Sequence, residues 1–489
     1  MTPPTTSATV GARDTTVGVR DATVGDTPSR RTRLGRGGGA LGVLAVIIVC
    51  ALVAWLRLPP VARDTLWAED GRVFVQQRVA DGPFSTWFVP YDGYLHLVPR
   101  LLADAAWSWS PVDHLATVVT ALACLVAGLV AAGVWVCSRG LVASRVVRLA
   151  LAAVTVLVPL APLEVSGNLA NVHWYLLWLT PFLLLHRARS TTSTVVASLG
   201  ALLIGLTEIQ AVVLVPFFVA AFVVRPRSAH PRRDLAPVVV LVAALVVQLL
   251  VAALTARADA PGPASTIPQV VLGYLTSVVL GTWVPSAVRL GGLLDRGGWA
   301  VALIATAPFV LAAVVVVRAV RHSVPGTARL VGRVAPAHDP VAVDRLALAA
   351  VAGLASVAVW SVDVVVNHGP DTRFWFDDPG RVAELGLTRY AVVPSLFLLV
   401  VLLCAVDAAW RSPSRRSRAA AVLGLVLVVA LVAVWFDGSG SSRGAGPGWQ
   451  GSLDRAEEAC DDGAAVADVA GAPVGWGVLL PCDVVDEDR

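Results

Sequence analysis

The feature that most constrains this chain is a series of unbroken apolar runs, each about 14 to 23 residues long, that recurs between residues 40 and 436. As a helix, about 20 apolar residues cross the roughly 30 Å of hydrocarbon in a bilayer. The runs are continuous and do not alternate, which argues against a transmembrane β-barrel. A backbone in lipid must satisfy its own hydrogen bonds, so helices remain as the solution. Charged residues make up 15% of the chain, against about a quarter in soluble domains. The expected fold is all-α, a polytopic membrane helix bundle of about 11 transmembrane helices. The candidate spans are 40–57, 114–136, 147–162, 173–186, 193–206, 211–224, 236–255, 299–317, 346–366, 390–410 and 419–436.

Two of these boundaries rest on argument. The stretch 193–224 is interrupted by Thr207, Glu208 and Gln210. As one helix it would measure about 48 Å, so two short spans turning at Glu208 fit better. The apolar run 269–284 follows Pro268 and contains Gly273 and Gly281, which suits a segment lying in the interface. Arginine placement tests both choices, because cytoplasmic loops carry the positive charge. Every basic residue is arginine. With the chosen arrangement, loops 225–235, 318–345 and 411–418 hold 13 arginines in 47 residues, and the opposing segments 256–297, 367–389 and 437–489 hold 9 in 118. The N-terminus is then cytoplasmic and the C-terminus extracytoplasmic, in a plasma membrane. The net charge of +4 follows this sidedness and does not suggest nucleic acid.

Residues 1–39 are rich in Thr, Gly and Arg with no hydrophobic period, and are expected to form a disordered cytoplasmic tail. The domain 40–436 carries long outside loops at 58–113, 256–297 and 367–389, and 437–489 is a small extracytoplasmic tail. Cys50, Cys124, Cys137 and Cys404 lie in or beside apolar runs. Cys460 and Cys482 lie in the polar outer tail, and an oxidising compartment predicts a disulfide between them.

Chemistry-bearing residues concentrate on the outer side. The first outer loop contains Trp67-Ala68-Glu69-Asp70-Gly71, then Tyr91-Asp92-Gly93-Tyr94-Leu95-His96 and Pro99-Arg100. An ordinary solvated loop accounts for this composition about as well as a site does. Between spans three and four come Glu164, Asn168, Asn171, His173 and Trp174, where helix-end polarity is the alternative to sugar binding. Glu208 sits in a turn between apolar spans, where an acid is costly unless it faces water or a partner. It is read as a second acid or a metal ligand. Loop 367–389 contains His368, Asp371, Asp377, Asp378 and Arg381 and ends at Arg389, with Tyr390 opening the next span. His368 with Asp371 has no diagnostic ligand spacing.

A long outer loop directly after the first helix, with an acidic pair near its start, resembles the GT-C superfamily of polytopic glycosyltransferases. The architectural likeness spans about 40–436; the motif is the two residues Glu69 and Asp70. The mannosyltransferase order is usually Asp-Glu, and neither a large soluble C-terminal domain nor a WWDYG-type motif is present. The resemblance implies a polyprenyl-phosphate sugar donor and a cell-envelope glycan or lipid acceptor. It implies Asp70 and Glu69 as catalytic base or metal ligand, with a divalent metal compatible with either. Arg-Tyr at the outer end of a late helix is also similar to GT-C families, where the arginine contacts lipid phosphate; a snorkelling arginine beside an interface tyrosine explains Arg389 and Tyr390 equally well. Sugar-binding candidates are Glu208, Asn171, His173, Trp174, Tyr94 and His96. The rival readings are a transporter or lipid flippase, for which Asp363 and Asp407 are the intramembrane acids, and a non-catalytic membrane scaffold.

Overall fold

The computed structural model describes residues 30–224, 230–255, 265–323, 339, 341–367, 389–437 and 440–486. Residues Met1–Gly42 and Val43–Arg489 form separate compact units, and the packing below is that of the second. Eleven helices coincide with the eleven expected runs: α1 (Arg30–Leu56), α2 (Leu115–Cys137), α3 (Arg145–Leu157), α4 (Val172–Leu185), α5 (Thr191–Gly205), α6 (Val215–Val224), α7 (Pro231–Leu254), α8 (Trp299–Ser323), α9 (Ala342–Val366), α10 (Val392–Trp410) and α11 (Arg415–Val434). Among the described residues, eight helices are long and apolar enough to cross a membrane, and up to ten if each of two bent pairs is one span. The count falls short of the expected eleven because α4, α5 and α6 are short. One bent pair is α5 with the segment 209–223, turned by 117° at Glu208.

Burial follows apolarity around each helix. Every residue from Val392 to Ala409 is buried, and a helix that is hydrophobic all round belongs in the middle of a bundle. Small residues let backbones approach: a Cβ on Gly128 would sit 2.5 Å from the Ile47 carbonyl of α1, and one on Gly205 would sit 2.5 Å from Ala244 of α7.

Polar ties sort the loops into two ends. At one end Asp407 accepts from Ser144 N at 2.7 Å and Ala143 N at 3.2 Å. Arg345 donates to Asp407 at 2.7 Å and to Asp339 at 2.8 Å. Asp234 accepts from Ala188 N at 3.1 Å. At the other end Leu97 N donates to Leu206 O at 3.2 Å and Val98 N to Thr207 Oγ1 at 3.1 Å. Gln210 Nε2 meets Asp363 Oδ1 at 2.5 Å. The Glu208 turn therefore lies with the first long loop. Phe222 and Val223 line one groove with Leu235 and Leu184, so α6 returns towards the start of α7.

The run expected to lie in the interface dips inward instead. Helical residues 267–283 bend by 113° into Ala287–Gly297. Tyr274 Oη meets Ser356 Oγ at 2.9 Å, well inside α9, and Ser395 Oγ donates to Val278 O at 3.3 Å. Thr276 and Thr282 give their hydroxyls to carbonyls of the preceding turn, which lets a polar-flecked segment enter the bundle.

The tail is folded. Helix α12 (Trp449–Asp461) packs with a two-stranded antiparallel sheet, β1 (Val466–Val469) and β2 (Val478–Pro481). A disulfide joins Cys460 and Cys482, with Cα atoms 5.5 Å apart. The tail clasps the first long loop: Ala68 N donates to Ala472 O at 2.5 Å, and Trp449 N to Asp64 O at 2.6 Å.

Candidate functional site

The two adjacent acids of the first loop point to different surroundings. Asp70 is fully buried and opens a wide helical turn, Asp70–Val75. Its Oδ1 accepts from Ala170 N at 2.8 Å and its Oδ2 from Leu169 N at 3.0 Å. Arg443 of the tail, also buried, reaches Thr65 O at 3.0 Å and Ser166 O at 2.8 Å. Burial pushes the Asp70 carboxyl up to about 7, against the pull of the two amides and of Arg443. Asp70 thus pins the approach to α4 onto the first loop. Glu69 is half-buried, and its Oε2 is covered without a hydrogen-bond partner. Just before it Ala68 has φ +30°, a conformation side chains resist. The Ala472 bond at that residue holds the strain, of a kind that clusters at functional sites.

Glu69 shares the field of Arg389. Arg389 Nη1 donates to Glu164 Oε1 at 2.6 Å, and Nη2 to Tyr390 Oη at 3.3 Å. From there aromatic rings run inward. Tyr390 stands edge-on to Trp174 at 5.8 Å, Trp174 lies 4.5 Å from His173, and His173 is 6.5 Å from His96. Asn171 fixes this floor by accepting from Trp174 Nε1 at 3.0 Å. His173 Nδ1 bonds Glu208 Oε2, and Glu208 Oε1 accepts from Gln210 N at 2.7 Å. Asp363 lies in the field of Glu208 and Arg389.

Tyr94 arrives through a tight turn. Asp92 and Gly93 both have positive φ, +48° and +87°, and Tyr91 and Tyr94 exchange backbone bonds of 2.9 and 3.2 Å, the arrangement that Asp-Gly favours. The turn brings the Tyr94 ring to 4.0 Å from His96. Burial pushes the Tyr94 hydroxyl well above its ordinary range and the His96 imidazole well below it, the latter helped by the charges of His173 and Arg100.

The structure therefore brings Arg389, Tyr390, Trp174, Asn171, His173, Glu208, His96 and Tyr94 into one chain of contacts, with Glu69 in the field of Arg389 and Asp70 behind it as a brace. Sequence reading passed over three members: Glu164 as the partner of Arg389, the Gln210–Asp363 pair, and Arg443 under Asp70. Glu164 and Gln210 were visible as polar residues at span ends; nothing local marked Arg443. Asp407 belongs to the opposite end, held by Arg345 and two backbone amides. His368, Asp371, Asp377, Asp378 and Arg381 lie outside the described residues. Among the described residues no three His, Cys, Asp or Glu side chains converge as metal ligands.

Chemically the site offers one buried carboxylate oxygen without a partner, a guanidinium whose field reaches it, and a run of aromatic rings. Polar atoms are left without a hydrogen-bond partner along those rings: Gln210 Oε1 and Asp363 Oδ2. Buried polar atoms without partners are few in a folded protein, and their clustering here marks a place that water or a ligand completes. No protein-family model matches the chain, and no curated protein matches it.

Proposed function

We propose that this chain is a GT-C-like glycosyltransferase of the plasma membrane, which moves a sugar from a polyprenyl-phosphate donor to a cell-envelope glycan or lipid on the extracytoplasmic face. The observation that carries the reading is the buried Glu69 carboxylate oxygen without a hydrogen-bond partner, in the field of an Arg389 that begins a run of buried aromatic rings. Arginine bias makes that end of the bundle extracytoplasmic. Nucleotide sugars do not reach that side, so the donor must have crossed on a lipid.

Glu69 takes the proton of the acceptor hydroxyl as it attacks the anomeric carbon. The bond from that carbon to the phosphate oxygen breaks, and polyprenyl phosphate leaves with the electron pair. Arg389 holds the leaving phosphate, whose second charge develops in the transition state, through its forked donors. Displacing Glu164 from Arg389 frees the fork. One base suffices, and the anomeric centre inverts. Trp174 and Tyr390 give apolar faces for a sugar ring, and Asn171, His173, Glu208, Tyr94 and His96 give donors and acceptors for its hydroxyls.

Transport has less support. Asp407 is bound up at the opposite end, and Asp363 lies within the site rather than along a path. A scaffold leaves the covered, unpartnered polar atoms unexplained. The test is incubation of purified protein with radiolabelled polyprenyl-phosphate sugars and envelope acceptors. Transfer from at least one donor, lost in Glu69→Gln, is expected. Absence of transfer across the panel, with sugar-lipid carried intact across proteoliposomes, would replace the enzyme by a transporter.

A further inference from the structure

Two arginines enter the same corner of the first loop and are treated differently. Arg78 pairs with Asp104, which also accepts from Trp87 Nε1 at 3.1 Å. Arg100 is 1% exposed, yet among the described residues no carboxylate pairs with it. Its Nη1 donates to Gln77 Oε1 at 2.8 Å, while Nε and Nη2 are buried without a partner. His96 lies one helical turn earlier and is 5% exposed; its ring nitrogens are buried, with the Tyr91 backbone in reach of one of them. The two flank one ring: the Arg100 guanidinium stands 5.5 Å over Phe74, and the His96 ring is 5.9 Å from it. Desolvation lowers Arg100 to about 10, so it keeps its charge at neutral pH. A buried charge is costly unless an opposite charge or several hydrogen bonds meet it. Asp81 lies in the field of Arg100 without a hydrogen bond to the guanidinium, and Phe74 and Gln77 supply neither a charge nor enough acceptors.

We propose that Arg100 and His96 form an oxyanion subsite that holds an acidic group, phosphate or carboxylate, of the acceptor. This rests on the transferase reading of the same site and names the acceptor class. The guanidinium presents two adjacent free donors, a fork that fits two oxygens of one anion. The neutral His96 ring adds its one donor when it turns from the Tyr91 backbone to the anion. Arg389 stands at the far end of the aromatic floor, so the acceptor's anion and the donor's phosphate are held apart. Their mutual repulsion then does not oppose simultaneous binding.

The experiment is equilibrium binding to the full chain in lipid nanodiscs, with radiolabelled glycerol 3-phosphate and glucuronate as probes and glucose as the neutral control. At least one anion should bind where glucose does not, and the preferred anion tells a phosphate-bearing acceptor from a uronate-bearing one. Arg100→Gln should weaken binding at least tenfold. Arg100→Lys keeps the charge and loses the fork, and should weaken binding severalfold; it serves if the Gln variant does not fold. No preference over glucose, or unchanged binding in both Arg100 variants, would overturn the subsite. None of these readings needs turnover. Anion binding without transfer from any donor would sink the transferase reading alone, and transfer without anion binding would sink the subsite alone.

Discussion

Glu69 and Asp70 share one peptide bond and do different work. Glu69→Gln keeps the shape and removes the basicity, so transfer should fall by about 10²-fold or more with thermal unfolding unchanged; full activity in that variant would remove Glu69 from the mechanism. Asp70→Ala strips the buried Leu169 amide of its acceptor, which should destabilise the protein by about 1–3 kcal/mol. That gap depends on pH. Because burial raises the native carboxyl to about 7, the folded protein binds this proton more tightly than the unfolded chain, where an aspartate titrates near about 3.9. The group's contribution is complete below that value and declines as pH rises towards about 7. The stability difference between wild type and Asp70→Ala should therefore narrow from about pH 5 to about pH 7.5, and a widening gap in chemical unfolding would contradict it. Arg389→Lys retains the charge but not the two parallel donors. Donor binding should weaken about tenfold, as for the loss of one charge-assisted bond; unchanged affinity would make Arg389 an interface anchor.

At the scale of elements, the tail holds the first loop against the bundle. Its disulfide closes a segment of 22 residues' separation, worth about 3 kcal/mol by loop closure. Replacing both Cys460 and Cys482 by Ser should open residues 440–486 to limited proteolysis. Transfer should drop with it, because Ala472 grips Trp67 and Ala68 beside Glu69. A protease-resistant tail in the double variant would show that Trp449 and Arg443 suffice. The turn at Glu208 has a parallel logic. Ending α5 there exposes backbone groups, and the loop carrying Leu97 and Val98 supplies their partners.

For the whole molecule, the ties at the two ends agree with the arginine bias in separating the loops. The separation is a matter of geometry; its direction across the membrane is a prediction. A cysteine introduced at Ser441 should react with an impermeant thiol reagent added outside, and one at Ser414 only after permeabilisation. The reverse pattern would place the site in the cytoplasm, within reach of nucleotide sugars, and remove the need for a lipid-linked donor.

The helical bundle and its loops were legible in the sequence because the cost of exposing polar backbone or charge to hydrocarbon is local, and acts on each run by itself. The expected runs are therefore helical, eight helices among the described residues being long and apolar enough to cross a membrane, and Cys460 and Cys482 were conspicuous as the polar-tail cysteines. Which acid is free was not legible. Glu69 and Asp70 look alike in the sequence, and the amides of Leu169 and Ala170, about 100 residues away, occupy one and leave the other. The pairing of Arg389 with Glu164, the inward dip of 267–283 and the open guanidinium fork of Arg100 have the same origin. Each depends on which distant group arrives at a given spot, and only the closed bundle decides that.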